Sequence, residues 1–206
     1  MNLLMHPTYF PNIAHFVAIS QAGSLTFEKA DNFQKQSYRN RSYIYAANGK
    51  QLLNIPVVHT QKNRQQYAHV LTCNTENWQR NHWRSLETAY RTSPFFEFYE
   101  DDIAPLFKAP VTRLFDFNMA CIETVLDCMQ YNLPYKTTTV YQKNPEQQTD
   151  LRFLADVKAT NNLKFEPYNQ VFNTKHGYIN NLSILDLLFN EGPNSINYLQ
   201  AQKAFW

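Results

Sequence analysis

The chain predicts an α/β fold in one domain over residues 1–206: a β-α-β unit opens it, a β-hairpin sits in the N-terminal half, and the C-terminal half is mainly helical. Three observations lead there. Leu3 to Met5 reads as a buried strand, Asn12 to Gln21 as a helix, and Ser24 to Glu28 as a second strand that returns parallel to the first. Between Tyr38 and Val58 two β-rich runs flank an Asn-Gly pair, the strongest short hairpin signal. Beyond Asn77, apolar residues recur every three to four positions over long stretches.

In the opening unit, Pro7 and Pro11 break the chain after the first strand, and Gly23 is placed to end the helix in which Ile13, Phe16, Val17 and Ile19 share a helical spacing. The polar stretch Gln61 to Gln66 reads as a surface loop and Tyr67 to Leu71 as a short strand. Asn77 to Thr92 is a helix with Trp78, His82, Leu86 and Ala89 or Tyr90 on one face, stopped by Pro94. Phe95 to Phe107 is a second, acidic and aromatic helical segment. Phe117 to Asn132 is a third, with Met119, Ile122, Leu126 and Met129 aligned and Pro134 as its breaker. Thr137 to Asp150 starts with a β-branched run, which predicts a short strand and then a loop. Leu182 to Phe189 forms the last helix, capped by Asn181 or Ser183 and closed by Gly192-Pro193.

Composition narrows the function classes. With 44% hydrophobic residues, 13 Tyr and 15 Phe, the chain can fill a core without disulfides or metal. A formal net charge of +2 is too small for a nucleic-acid footprint, so any anion is bound by a local site. Cys73, Cys121 and Cys128 make an odd set without a CxxC pair, which fits a reducing compartment and no metal centre. Neither a signal-peptide pattern nor a run of about 18 apolar residues is present. The expectation is a cytoplasmic protein without a membrane span or cofactor.

No catalytic or phosphate-binding signature motif occurs, so candidates rest on position. His6 and Tyr9 lie in the turn from the first strand into the first helix, where α/β sheets bind ligands and a helix N-terminus favours anions. The same prolines and aromatics also suit a packed turn. Arg39, Asn40 and Arg41 start the hairpin; alternation puts both guanidiniums on one face, fit for a phosphate or carboxylate or simply for solvent, with Glu28, Asp31 and Asn32 as nearby partners or turn caps. Trp78 and His82, four apart, either line a pocket or anchor their helix. Asp186 stands among Leu185, Leu187, Leu188 and Phe189, so it needs a partner, Arg39, Arg41 or His176, or an outward orientation.

Three segments in order, His-Pro-Thr-Tyr-Phe-Pro from His6, Tyr-Arg-Asn-Arg from Tyr38, and Trp-Gln-Arg-Asn-His-Trp-Arg with Ala-Tyr-Arg-Thr-Ser-Pro-Phe-Phe from Trp78, resemble the WbqC-like family of bacterial proteins. The closing Leu-Ser-Ile-Leu-Asp-Leu-Leu-Phe-Asn-Glu-Gly fits the same pattern, although His6 stands where the family usually carries Gln. The resemblance implies a role in O-antigen or related surface-polysaccharide biosynthesis, with acyl or aminoacyl transfer as the reaction.

Two readings follow. As an enzyme, His6, His82 and His176 handle protons, while Tyr9, Arg39, Asn40, Arg41, Trp78 and Asp186 hold a small phosphorylated or thioester substrate. As a non-catalytic assembly protein, Phe95, Phe96, Phe98 and Tyr99 recruit a carrier protein or partner enzyme.

Overall fold

The structure, a computed structural model, describes residues 1–58 and 65–206. Four parallel strands form its sheet in the order β5-β2-β1-β6: β1 (Asn2–Met5), β2 (Ser24–Phe27), β5 (Tyr135–Thr137) and β6 (Thr149–Asp150). β1 pairs on both sides, which explains its unbroken Leu3-Leu4-Met5 run: a strand buried on both faces needs no polar alternation. The chain leaves β1 toward β2 on one side and returns to β6 on the other. The strand order therefore reverses between β1 and β6, the position where such sheets open a crevice at the strands' C-terminal ends.

Helix α1 (Ile13–Ser20) joins β1 to β2 and is buried along its whole length. Asn12 caps it, its Oδ1 accepting from the His15 N–H at 3.2 Å. Gly23 serves a close approach, since a Cβ there would lie 2.7 Å from the Met1 nitrogen.

The hairpin comprises β3 (Arg41–Ala46) and β4 (Gly49–Asn54), paired antiparallel with Ala46 opposite Gly49. Gly49 has φ of 99° and Asn48 is not among the positive-φ residues, so the Asn-Gly pair does not make a type I′ turn with two left-handed centres. β3 starts at Arg41. Arg39 therefore lies outside the strand, and alternation does not place it beside Arg41; it is buried, whereas Arg41 is half-buried.

Helix α2 (Trp78–Tyr90) buries Trp78, His82, Leu86, Ala89 and Tyr90, the face the spacing predicted. α3 (Phe96–Ile103) follows, then α4 (Leu114–Cys128). α4 begins and ends earlier than the expected Phe117 to Asn132. Its end is a Schellman closure in which Gln130, at φ 52°, takes the place glycine usually fills, with Gln130 N–H to the Asp127 carbonyl and Tyr131 N–H to that of Leu126.

Tyr67 to Leu71 is not a strand: Tyr67–His69 is a turn of 3₁₀ helix, and the segment's β pairing is an isolated bridge from Leu71 to Arg113. Of the polar loop expected over Gln61 to Gln66, residues 61–64 lie outside the described residues. Strand β5 starts two residues before the expected Thr137, and β6 adds a two-residue strand where a loop was expected.

After a short α5 (Asn173–His176), α6 (Ile184–Glu191) is capped by Ser183. Asn181 instead accepts the Ala14 N–H of α1 at 2.9 Å. A further helix, α7 (Ser195–Ala201), lies beyond the last one expected and packs on α1, where Gln21 donates to the Leu199 and Gln202 carbonyls.

Candidate active site at the sheet's C-terminal edge

Each strand of the sheet delivers a polar residue just past its C-terminal end: His6 after β1, Glu28 after β2, Thr138 after β5, and Arg152 after β6. Glu28 has no exposed surface. Its Oε1 accepts from the Thr138 hydroxyl at 2.5 Å and the Ala30 N–H at 2.8 Å, and its Oε2 lies 3.4 Å from Arg152. Arg152 also forks onto Asp150 at 2.9 and 2.6 Å and donates to the Gln142 and Lys143 carbonyls. The bonds to Asp150 raise its pKa, and this half of the edge is an internally satisfied clamp.

The other half is not satisfied. His6 is buried, and its Nε2 lies 3.1 Å from Asp31, whose carboxyl is also 3.6 Å from Arg39. Burial raises the Asp31 pKa, but the His6 hydrogen bond and the neighbouring positive charge outweigh this and hold it below the usual range. Burial, reinforced by Arg39 and only partly opposed by Asp31, pushes the His6 pKa down to about 4. His6 is thus neutral near pH 7. A carboxylate can only accept, so the proton sits on Nε2, and His6 Nδ1 is a buried lone pair with no partner.

Arg39 lies 2% exposed over the Tyr67 ring, 5.6 Å from its centroid, with Ser37 Oγ at 3.3 Å and its Nε unpaired. Burial lowers its pKa, opposed by Tyr67 and Asp31. Tyr67 donates to the Pro7 carbonyl at 2.7 Å, and Asn118 of α4 donates to both the Tyr67 hydroxyl and the Arg39 carbonyl. These bonds tie the loop after β1, the 3₁₀ turn and α4 around the guanidinium.

Three expected features differ. The N-terminus of α1 offers an anion little: the N–H groups of Ile13, Ala14 and His15 go to the Leu182 carbonyl, Asn181 and Asn12. Asp186 is paired neither with Arg39, Arg41 nor His176; it accepts from Tyr90 at 2.8 Å, Tyr168 at 2.6 Å and Gln170 at 2.8 Å. In the aromatic stretch proposed as a docking surface, Phe96 and Tyr99 are buried and Phe98 alone is strongly exposed, at 70%.

The candidate residues separate into groups. His6 and Arg39 meet at Asp31. Tyr9, Trp78 and His82 form a second cluster, with Tyr9 Oη 2.9 Å from His82 Nδ1 and the Trp78 and His82 rings 5.2 Å apart. Asn40 braces the hairpin base through Asn54 and the Ile55 carbonyl. Arg41 opens β3 opposite Asn54, with no carboxylate within 4 Å among the described residues. His176 is exposed, bonded to the Ala47 carbonyl. Tyr67, Asn118, Arg152 and His15 were not among the expected site residues, and Asp31 appeared only as a partner of the arginines or a turn cap. Only burial together with one unpaired ring nitrogen, Nε2, marks His15. Among the described residues, no group of three His, Cys, Asp or Glu is arranged to hold a metal ion, and no helix is long and apolar enough to cross a membrane.

The sequence profile of the WbqC-like protein family matches residues 6–165, more than three quarters of the chain. The chain belongs to the WbqC-like protein family. The matched span opens on His6 and contains Asp31, Arg39, Tyr67, Asn118 and Arg152, while His176, Asp186 and the closing Leu182 to Gly192 segment lie beyond it. This WbqC-like protein is also similar to "Uncharacterized protein Rv1507c" of Mycobacterium tuberculosis, at 22% identity over 96% of each chain. No solved structure matches it.

Proposed function

We propose that this protein is a transferase that moves an acyl or aminoacyl group onto an amine or hydroxyl acceptor in surface-polysaccharide biosynthesis, using the His6, Asp31 and Arg39 cluster. The observation that carries the reading is His6 itself: a neutral imidazole oriented by Asp31 through Nε2, with Nδ1 buried and unpaired at the strand-order reversal. In this reading Nδ1 takes the acceptor's proton as the acceptor's lone pair bonds to the acyl carbon. The bond from that carbon to the donor's sulfur or oxygen breaks, and the proton passes to the leaving atom. Asp31 stabilises the imidazolium formed in between, and Arg39 holds a carboxylate or phosphate of the donor.

The partner-recruitment reading needs an exposed aromatic surface, and one strongly exposed phenylalanine is a thin basis for it. The test uses His6→Gln, since Gln keeps a donor toward Asp31 and removes the base. Purified wild type and variant are screened by mass spectrometry for turnover of coenzyme A thioesters and carrier-bound aminoacyl donors with amino sugars. Turnover that falls about 10²- to 10⁴-fold in a normally folded variant supports general-base catalysis. Undiminished turnover in the variant refutes that role of His6, and a wild type that neither turns over nor is stabilised by any donor refutes the transferase reading.

A further inference from the structure

We infer that Tyr67 is the positioning residue of this site, holding Asp31, Arg39 and the His6 loop in one register. The inference rests on the transferase reading and adds the residue that sets its geometry. Tyr67 has no exposed surface, and it meets each member of the cluster through a different group. Its backbone N–H donates to the Asp31 carbonyl at 2.8 Å. Its ring lies beneath the Arg39 guanidinium, with 5.6 Å from the centroid to Cζ, and meets the His6 ring edge to face at 6.1 Å between centroids. Its hydroxyl donates to the carbonyl of Pro7, the residue after His6, at 2.7 Å.

The directions of these bonds follow from chemistry. Burial pushes the Tyr67 hydroxyl up, against the opposing pull of Arg39 and Asn118, so it stays neutral near pH 7. A neutral phenol has one hydrogen and a carbonyl can only accept, so that hydrogen lies on Pro7. Asn118 must then donate to the hydroxyl, at 2.5 Å, and the same amide nitrogen reaches the Arg39 carbonyl at 2.6 Å. The ring is fixed in turn by Phe33, stacked at 6.2 Å, and by Phe115, edge to face at 5.3 Å.

The contacts divide the labour. The hydroxyl acts on His6 through Pro7, and so on the proton-transfer step. The ring acts on Arg39, and so on the anionic group of the donor. Phenylalanine keeps the ring without the hydroxyl, and leucine keeps neither, so two substitutions separate the roles.

The test compares wild type, Tyr67→Phe and Tyr67→Leu, each as the whole chain labelled with ¹⁵N-histidine. In wild type, His6 is expected as one tautomer, protonated at the Nε2 that faces Asp31. Tyr67→Phe is expected to turn this into a mixture of tautomers and to lower kcat about 10- to 100-fold, with the KM for an acyl coenzyme A donor unchanged. Tyr67→Leu is expected to add a rise of about tenfold in that KM. A folded Tyr67→Phe with the wild-type tautomer and kcat overturns the inference and leaves the transferase reading standing, even where its melting temperature falls, since that marks a packing residue. An unmoved donor KM in Tyr67→Leu overturns the role of the ring. A wild type that turns over no donor strikes the transferase reading, and the tautomer comparison then decides Tyr67 alone. Should Tyr67→Phe fail to fold, wild type decides: a hydroxyl held on Pro7 exchanges slowly enough to give its own proton signal, with cross-relaxation to the His6 ring, and a hydroxyl in fast exchange overturns the inference.

Discussion

Acidification from about pH 7 to about pH 5 is expected to remove about 4 kcal/mol of folding stability, a large share of the 5–15 kcal/mol typical of a domain. Three histidines are buried and neutral: burial chiefly lowers His6 to about 4, His15 to about 3 and His82 to about 4, against 6.5 in the unfolded chain. A lowered folded pKa means that the unfolded chain takes up the proton first. The stability these groups contribute is complete above about pH 6.5 and is lost as pH falls toward their folded values. Linkage gives about 1.9 kcal/mol for each over this interval, roughly 6 kcal/mol together.

Asp186 works in the opposite direction. Its burial raises it from 3.8 to about 6, partly opposed by its three hydrogen bonds, so the folded state binds its proton first and regains about 1.3 kcal/mol by pH 5. Asp31 and Asp150 have lowered pKa values and add their losses at lower pH, outside this window. Urea unfolding at a series of pH values, extrapolated to zero denaturant, measures the net. In His82→Asn, whose Oδ1 can stand in for Nδ1 opposite Tyr9, the loss should shrink by about 1.9 kcal/mol. A stability that changes by less than about 1 kcal/mol between these pH values would show that the histidines are not held neutral, and the base assigned to His6 would go with them.

Arg39→Met should raise the His6 pKa above about 4, because the guanidinium is the second cause of its depression after burial; an unmoved titration in ¹⁵N NMR would show that the two groups do not interact. Asp31→Asn should move His6 the other way and slow turnover, with the pH titration and kcat as paired readouts. Asp186→Asn should destabilise by about 1–3 kcal/mol at neutral pH, since an amide cannot accept from all three donors, and should steepen the acid loss from about 4 to about 6 kcal/mol in the same urea series. Asn12→Ala should cost about 1 kcal/mol as a lost cap and release the His15 ring, whose Nδ1 lies 2.9 Å from Asn12 Oδ1, visible as a mixture of ring-proton signals from its two tautomers.

The parts of the fold readable in the sequence are those with a local cause. The Leu3 to Met5 run and the face of α2 both follow from spacing within one element. What escaped has its cause elsewhere in the chain. Gln130 closes α4 without the glycine that would have announced it, and β6 is two residues long, too short for any periodicity, existing because β1 offers an unpaired side. Tyr67 carries a β-former's side chain but ends in a 3₁₀ turn because its hydroxyl is held by Pro7 and Asn118. In the site, His6 and Arg39 were marked by position after a strand and beside a hairpin. Their meeting at Asp31 depends on a contact that no spacing encodes.

Burial alone does not identify which polar cluster works on a substrate, because the described residues bury several, and those around Asp186 and His6 differ in how far they are satisfied. Around Asp186 the carboxylate receives three donors, and Gln170, one of them, is itself bonded to Ile179 through both ends of its amide. That cluster offsets part of its desolvation cost and leaves neither carboxylate oxygen without a donor. Around His6 the same degree of burial leaves His6 Nδ1 and Arg39 Nε without partners, a deficit that folding alone has no reason to keep. The loop between His6 and His15 carries a second cost. Phe10, a bulky residue, sits at φ 37°, worth about 1–3 kcal/mol of strain, and is held there by Ser42 and Ser183, which both donate to its carbonyl, and by its ring stacked on Phe107. Three elements distant in sequence thus fix a strained turn immediately beside unpaired nitrogens. Relieving the turn while the fold is kept should therefore reduce turnover more than stability, which separates this edge of the sheet from the satisfied cluster at Asp186.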